Sequence, residues 1–304
     1  MKNKLLLGNI IALAAYIIWG FLPLYWQLLS RVPSQEIIAH RIILSFVTLG
    51  VILLLQKRKN IWISLKDKKT RRNIIFAALA LLINWSAFII AVLANRVVEC
   101  SLAYYINPLI VIAFGMLFLG EAGGTVKIIA IVLALIGVLI LVFGYNQFPY
   151  FALIMAFSFS IYGLIKKRIK MDPYIGLFLE MLMILPFAFA LQIFNFSSGT
   201  SVYLGQLGTV WFVVILMMSG LLTMLPLVLY NRSLGMITLG NMGFLQFLAP
   251  TIMFLIGVFI NGEVFTTVHL ISFIFIWLAV IIYCISLVVK SKNSVLLNKT
   301  PATE

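Results

Sequence analysis

Long apolar stretches separated by short polar segments make up almost the whole chain. An α-helix needs about 20 apolar residues to cross about 30 Å of hydrocarbon, and these stretches are of that length. The segments between them hold charged residues and turn formers, such as Lys-Met-Asp-Pro-Tyr at 170–174. The pattern predicts ten transmembrane helices, at residues 6–28, 36–56, 74–94, 100–119, 126–144, 149–165, 174–194, 211–230, 240–260 and 268–289.

The composition supports a membrane protein of the all-α class. Hydrophobic residues make up 63% of the chain, charged residues 10%, and the mean hydropathy is +1.16. A soluble domain has about 25% charged residues, so there is too little polar surface here to face water. Two cysteines and two histidines are too few for a disulfide framework or a typical zinc site, so we expect no metal and no cofactor.

The distribution of basic residues predicts the orientation of the chain in the membrane. The net charge is +14, which by itself is compatible with nucleic-acid binding. However, 19 of the 22 basic residues lie before the first helix, in alternate short loops or in the tail, and residues 57–73 alone hold eight. Basic loops lie on the cytoplasmic side. We therefore expect both termini to be cytoplasmic, with membrane lipids as partners and no nucleic acid.

Two eighteen-residue segments of the chain share a pattern. They are YYINPLIVIAFGMLFLGE at 104–121 and QFLAPTIMFLIGVFINGE at 246–263, and Pro108, Gly115, Gly120 and Glu121 match Pro250, Gly257, Gly262 and Glu263 at an offset of 142. The match predicts a five-helix repeat at 1–147, a second at 148–290, and a flexible cytoplasmic tail at 291–304. Because each repeat has an odd number of helices, the second is inverted, as in transporters that work by alternating access.

Several motifs in this order resemble the RarD-type branch of the EamA transporters, in the drug/metabolite transporter superfamily. They include AAYIIWGFLPLYWQLL, EIIAHRIILS, NWSAFIIAVLANRVVECSLAYYINPL, FSFSIYGLIKK, GLFLEML and GFLQFLAPT. The resemblance covers about residues 5–290. It implies ten helices in two inverted halves and export of small metabolites across a bacterial plasma membrane.

Arg41 and His40 are the first candidates for a substrate pathway or gate. Arg41 lies about five residues inside the second predicted helix, and a charge at that depth faces a partner or water. Its long side chain could instead reach the outer headgroups. His40 is four residues from Glu36, so the two share a helix face and are expected to bond locally.

Glu180 is the matching candidate in the second half. It lies about six residues inside the seventh predicted helix, which enters from the cytoplasmic side. A buried carboxylate of this kind can close a gate, hold a neighbouring polar group or carry a coupled proton. Arg41 and Glu180 lie near opposite faces, so we expect no direct pair between them.

Other residues are candidates for the pathway because polar side chains at membrane depth bond across helices or line water. They are Tyr16, Trp19, Asn84, Trp85, Tyr104, Asn107 and Gln246. Tyr16 and Trp19 share one helix face, which fits either packing or a cavity wall. Pro108 and Pro250 are predicted helix kinks.

Two further features allow a structural interpretation. Glu121 and Glu263 end their helices after glycine, and we expect each carboxylate to face the N-terminus of the next helix. The stripe of Ala130, Ala134 and Gly137 favours close helix contact, either inside the chain or at a homodimer seam.

The function predicted from these features is secondary transport of a small molecule. The substrate is an amino acid-like or amphipathic metabolite, and we expect no catalytic residues. The alternative is a membrane-embedded transferase acting on a lipid-linked substrate, which would need a close pair of acids or a His-Asp set. The eight acidic residues form no such pair in sequence, and no GxxxxGK[ST] motif is present, which argues against direct use of ATP.

Overall fold

The computed structural model describes residues 2–57, 61, 65–94, 96–144, 148–169, 171–201, 210–260, 262 and 266–297. Helices account for most of this part of the chain. They are α1 (Lys2–Leu28), α2 (Ser34–Leu55), α3 (Lys68–Leu93), α4 (Val97–Leu119), α5 (Thr125–Gly144), α6 (Tyr150–Arg168), α7 (Pro173–Ser197), α8 (Val210–Leu234), α9 (Leu239–Gln246), α10 (Leu248–Phe259) and α11 (Thr267–Leu297).

Nine segments of the described chain are long and apolar enough to cross a membrane, with α9 and α10 counted as one segment. The tenth is α3, which is 26 residues long and packs against α6 and α7. The prediction of an all-helical protein with ten membrane-spanning segments is therefore confirmed. In a bilayer such helices satisfy their own backbone hydrogen bonds, which is why this architecture is stable there.

The ninth predicted helix is broken into α9 and α10 at Phe247. Pro250 lies three residues after the break, and proline has no N–H to donate to the carbonyl four residues before it. The matching Pro108 lies inside α4, which runs without interruption from Val97 to Leu119. The two prolines therefore have different local consequences, although their positions in the sequence match.

Short connections fix the helix ends near the membrane surfaces. The Asp172 side chain accepts hydrogen bonds from the backbone N–H groups of Tyr174 and Ile175 at the start of α7. Hydrogen bonds from the side chain and backbone of Thr70 lower the pKa of Asp67, just before α3. Gly120 ends α4 with a φ of 63°, a left-handed conformation that favours glycine.

Helix bounds in the two halves of the chain match at the offset found in the sequence. Each of α3, α4 and α5 begins 142 residues before its counterpart, which is α8, α9 or α11 respectively. Gly262 has a φ of 69° and lies 142 residues after Gly120. These are the bounds that a duplicated five-helix unit would give.

Helix packing follows the same pairing. The contact between α3 and α6 has its counterpart between α1 and α8, and the contact between α4 and α6 has its counterpart between α1 and α10. The remaining large contacts join α2 with α7, α5 with α11, and α4 with α9, which means that each helix packs against its own counterpart.

Two buried clusters form the core. The first combines apolar residues of α1, α2, α3, α6, α7 and α8, and the second combines residues of α4, α5, α6, α9 and α11 with the end of α3. Large apolar side chains on the outside of the bundle, such as Leu54 and Phe259, are exposed, as lipid-facing side chains are. The stripe of Ala130, Ala134 and Gly137 is an internal contact, because a Cβ on Gly137 would lie 2.7 Å from the Ser272 carbonyl oxygen of α11.

The predicted domain bounds fall partly outside the described residues. α5 ends at Gly144 and α6 begins at Tyr150, and residues 145–147 are not described. The last helix continues to Leu297, past residue 291 where the tail was predicted to begin. Residues 298–304 lie outside the described part of the chain, and the division into repeats stays a prediction.

Candidate functional site

Arg41 lies in α2 and its side chain contacts α8. Its Nε donates a hydrogen bond of 2.9 Å to Thr223 Oγ1. The centre of the guanidinium is 4.9 Å from the ring centroid of Trp26 and 5.0 Å from that of Trp85. Cation–π contacts of this kind hold an arginine where water is scarce. Arg41, Thr223, Trp26 and Trp85 are called the Arg41 cluster below.

His40 and Glu36 use different partners from those expected. The imidazole Nδ1 of His40 is 2.8 Å from the Glu36 backbone carbonyl oxygen and donates to it. The buried Glu36 carboxylate accepts hydrogen bonds from Gln192 Nε2 at 3.3 Å and from Ser201 Oγ at 2.9 Å. The local contact between His40 and Glu36 is therefore present, but the bond that the structure shows goes to the backbone.

A layer of aromatic rings fills the space between α1, α6 and α8. It consists of Tyr16, Trp19, Phe159, Tyr162 and Tyr230, and is called the aromatic cluster below. Neighbouring ring centroids are 5.4 to 6.4 Å apart. The shared helix face of Tyr16 and Trp19, inferred from sequence spacing, is therefore turned toward the other half of the chain.

Glu180 forms a buried ion pair next to the aromatic cluster. Its side chain has no exposed surface, and its Oε1 lies 2.5 Å from Lys166 Nζ. The Tyr162 hydroxyl donates to Glu180 Oε2 at 3.2 Å and accepts from Asn231 Nδ2 at 2.8 Å. Glu180, Lys166, Tyr162 and Asn231 are called the Glu180 cluster below.

The Arg41 and Glu180 clusters lie at different depths along α8. Thr223 belongs to one and Asn231 to the other, and the eight residues between them correspond to about 12 Å along the helix axis. Arg41 and Glu180 thus have separate partners. The aromatic cluster, which includes Tyr230 and Tyr162, joins the Glu180 cluster directly.

A second group of polar residues joins helices of the other core. The Asn107 Nδ2 donates to the Ala156 carbonyl oxygen at 2.6 Å and to Ser160 Oγ at 2.7 Å. The Asn107 Oδ1 accepts from Gln246 Nε2. Asn107 and Gln246 therefore connect α4, α6 and α9, which is the structural role open to polar groups in a membrane.

The remaining sequence candidates have simpler surroundings. The half-buried Asn84 donates to the Met155 carbonyl oxygen at 2.8 Å and to Ser158 Oγ at 3.3 Å. Tyr104 is 37% exposed. Neither residue belongs to the Arg41, Glu180 or aromatic cluster as defined above.

Glu121 binds a helix N-terminus far away in sequence. Its two carboxylate oxygens accept hydrogen bonds from the backbone N–H groups of Leu239 at 2.5 Å and Gly240 at 2.8 Å, in the first turn of α9. Lys127 Nζ is 3.7 Å from the same carboxylate. The N-terminus that Glu121 binds is therefore that of α9 and not that of the following helix, so the expected partner was wrong. Glu263 lies outside the described residues.

Lysines at the end of α6 reach the same region. Lys167 Nζ donates to the carbonyl oxygens of Leu234 at 2.6 Å and of Ile237. The segment between α8 and α9 is thus held by a cation at its carbonyl end and by Glu121 at its N–H end. Both contacts match the charge of the helix end that they bind.

Sequence reasoning missed several members of these clusters. Lys166 and Lys167 were counted only as basic loop residues, and Asn231 fell one residue past the predicted end of its helix. The short connection between α6 and α7 was the available signal, because it brings a basic residue near the end of one helix close to an acid near the start of the next.

The buried charges and the helical bundle define a class of protein, a multi-pass membrane transporter, and comparison with known proteins agrees. The model of the EamA-like transporter family matches residues 6–143. An uncharacterized transporter, YojE of Bacillus subtilis, is 38% identical over 92% of this chain and 94% of its own length. The protein RarD of Escherichia coli is 36% identical over 91% of this chain and 93% of its own length.

A likeness in fold extends further than the sequence likeness. A solved crystal structure of a protein superposes with a TM-score of 0.70 at 14% identity, covering 90% of this chain and 96% of the other. The chain belongs to the EamA-like transporter family, among its RarD-type members. It is a multi-pass membrane protein of the bacterial plasma membrane, as the sequence predicted.

Proposed function

We propose that this protein is a secondary transporter that exports a small metabolite, amino acid-like or amphipathic, by alternating access. The observation that carries the proposal is the buried column of polar and aromatic groups between the halves of the chain. It runs from the Arg41 cluster through the aromatic cluster to the Glu180 cluster. Buried charges in a membrane protein are costly and mark a path for substrate or ions.

The repeat supports the mechanism. The helix bounds that match at 142 residues, and the matched packing of helices, fit two copies of a five-helix unit. An odd number of spans per copy inverts the second copy in the bilayer. Two inverted copies can exchange conformations, and this exchange moves the opening of a central site from one side to the other.

The distribution of basic residues gives the proposal its direction in the membrane. With both termini in the cytoplasm, α2 starts at the outer surface, so Arg41, seven residues after Ser34, lies about 10 Å from that surface. Glu180 lies seven residues after Pro173, at a similar depth from the inner surface. One buried charge cluster would therefore stand on each side of the aromatic cluster.

The chemistry of the column suits a substrate with an apolar body and a small charged head. Its aromatic rings offer apolar surface and π faces, while Arg41 and Glu180 offer opposite charges. A zwitterion or an amphipathic amine could use both. RarD of Escherichia coli and YojE of Bacillus subtilis support transport as the function, in preference to a lipid-linked transferase reaction.

The direct test is flux in proteoliposomes. Purified protein is reconstituted and screened with labelled amino acids and related amines, with uptake measured separately for the two orientations of the protein. Net flux of a compound down its gradient, or driven by a proton gradient, supports the proposal. A product formed from the compound, with no net flux, would contradict it.

Arg41→Gln is expected to reduce the initial rate of transport at least tenfold. Glutamine keeps a polar group near Thr223 but removes the charge and the stacking on Trp26 and Trp85. Arg41→Lys keeps the charge without the planar guanidinium, so we expect an intermediate rate. Unchanged flux in Arg41→Gln, in protein of normal thermal stability, would remove Arg41 from the pathway.

A further inference from the structure

The Glu180 carboxylate has one cationic partner in this conformation, Lys166. The pair is buried, with 6% of the lysine side chain and none of the glutamate side chain exposed. A carboxylate removed from water needs a cation, a proton or several hydrogen-bond donors to stay there. Any conformation that separates Lys166 from Glu180 must therefore supply a replacement.

Lys166 is suited to leave. It lies in the last turn of α6, and a lysine near a helix end can extend its ammonium to the headgroups. Its present position depends on a glycine, because a Cβ on Gly176 would lie 2.7 Å from Lys166 Nζ. Gly176 is one helical turn before Glu180 on α7, so the ammonium fills a space that a side chain would close.

Three buried polar atoms of the adjoining residues have no hydrogen-bond partner in the described part of the chain. They are the hydroxyl oxygens of Tyr16 and Tyr230 and the Oδ1 of Asn231. Tyr16 and Tyr230 belong to the aromatic cluster, and Asn231 donates its Nδ2 to Tyr162. Native proteins rarely leave such atoms unpaired, and all three can accept hydrogen bonds from an ammonium.

We propose that the substrate carries a primary ammonium group, and that this group binds Glu180 in exchange with Lys166. The Lys166 ammonium is then an internal competitor that occupies the site in the absence of substrate. The apolar part of the substrate packs on Trp19 and Phe159, whose faces attract a neighbouring cation. This inference rests on the proposed transport function and adds the chemical class of the substrate.

Equilibrium binding to the purified full chain in detergent tests the exchange. The probe is phenethylammonium, with phenethyl alcohol and 3-phenylpropionate as neutral and anionic analogues, and binding is measured by isothermal titration calorimetry. We expect the ammonium to bind and the two analogues to bind at least tenfold more weakly. Glu180→Gln should weaken ammonium binding at least tenfold.

Removing the competitor should have the opposite effect. Lys166→Met should tighten ammonium binding at least tenfold, and Gly176→Ala, which keeps both charges but displaces the lysine, should tighten it less. The matched control is Lys167→Met, whose lysine binds the carbonyl oxygens of Leu234 and Ile237 instead, so binding should be unchanged. Gly176→Ala gives the answer if Lys166→Met does not fold.

Several results would overturn the inference. These are equal binding of phenethylammonium and phenethyl alcohol, unchanged affinity in Glu180→Gln, or weaker affinity in both Lys166→Met and Gly176→Ala. Transport of other solutes in proteoliposomes, together with any of these results, would leave the proposed function standing and reject the ammonium site. Tight ammonium binding with no flux of any solute would do the reverse.

Discussion

Lys166→Met is expected to lower the free energy of unfolding by about 3–5 kcal/mol, the range seen when one member of a buried ion pair is removed. Methionine has nearly the length of lysine but no charge. Glu180, which has no exposed surface, is then left as an unpaired carboxylate or takes up a proton. Both states are less favourable than the ion pair. Thermal unfolding in detergent, followed by circular dichroism, measures the loss.

The double variant Lys166→Met/Glu180→Gln should recover most of that loss, because it leaves no buried charge without a partner. Lys167→Met is again the control for the loss of a neighbouring charge. Equal stability of the single and double variants would show that the ion pair contributes little to the folded state. It would also weaken the view that Glu180 requires a replacement cation when the pair separates.

Glu121→Gln is expected to lower both stability and the rate of transport. The carboxylate accepts two backbone hydrogen bonds from the first turn of α9, and a glutamine has only one oxygen and no charge to offer. Loss of a cap is worth about 1–2 kcal/mol. Because this contact joins α4 to α9, its loss should also change the balance between conformations, and we expect the transport rate to change at least threefold.

The matched control for this prediction is Asp172→Asn. Asp172 also caps a helix, but it accepts from Tyr174 and Ile175 within its own connection. Both variants should lose stability, while only Glu121→Gln should change the initial rate in proteoliposomes. A rate unaffected by Glu121→Gln would reduce this residue to an ordinary helix cap.

Much of the fold was predictable because the bilayer limits the choices. A span must be apolar and about 20 residues long, so hydropathy alone places the ten segments. The repeat was visible at Pro108 and Pro250 because both copies use the same helix ends. The break at Phe247 was not predictable, since Pro108 in the other copy leaves its helix continuous.

The site was only half predictable from the sequence. Arg41 and Glu180 were singled out because a charge inside a span needs a reason. Lys166 was missed because its position at a helix end is that of any cytoplasmic lysine, and only the fold shows its side chain turned inward. Glu121 was assigned to the wrong helix because its partner is 118 residues away, and no local pattern encodes such a contact.

Side-specific labelling of single cysteines tests alternating access most directly. In protein with Cys100 and Cys284 replaced by alanine, one cysteine is placed at Ser219 and, in a second variant, one at Leu234. Ser219 lies one turn before Thr223 on α8, and Leu234 lies at the other end of the helix. An impermeant maleimide is applied from each side in turn, with and without a transported substrate.

The account predicts that position 219 reacts from the outside and position 234 from the cytoplasmic side. It also predicts that substrate changes the two labelling rates in opposite directions. Labelling of both positions from one side, or rates that rise and fall together, would contradict two inverted repeats that open a central site to one side at a time.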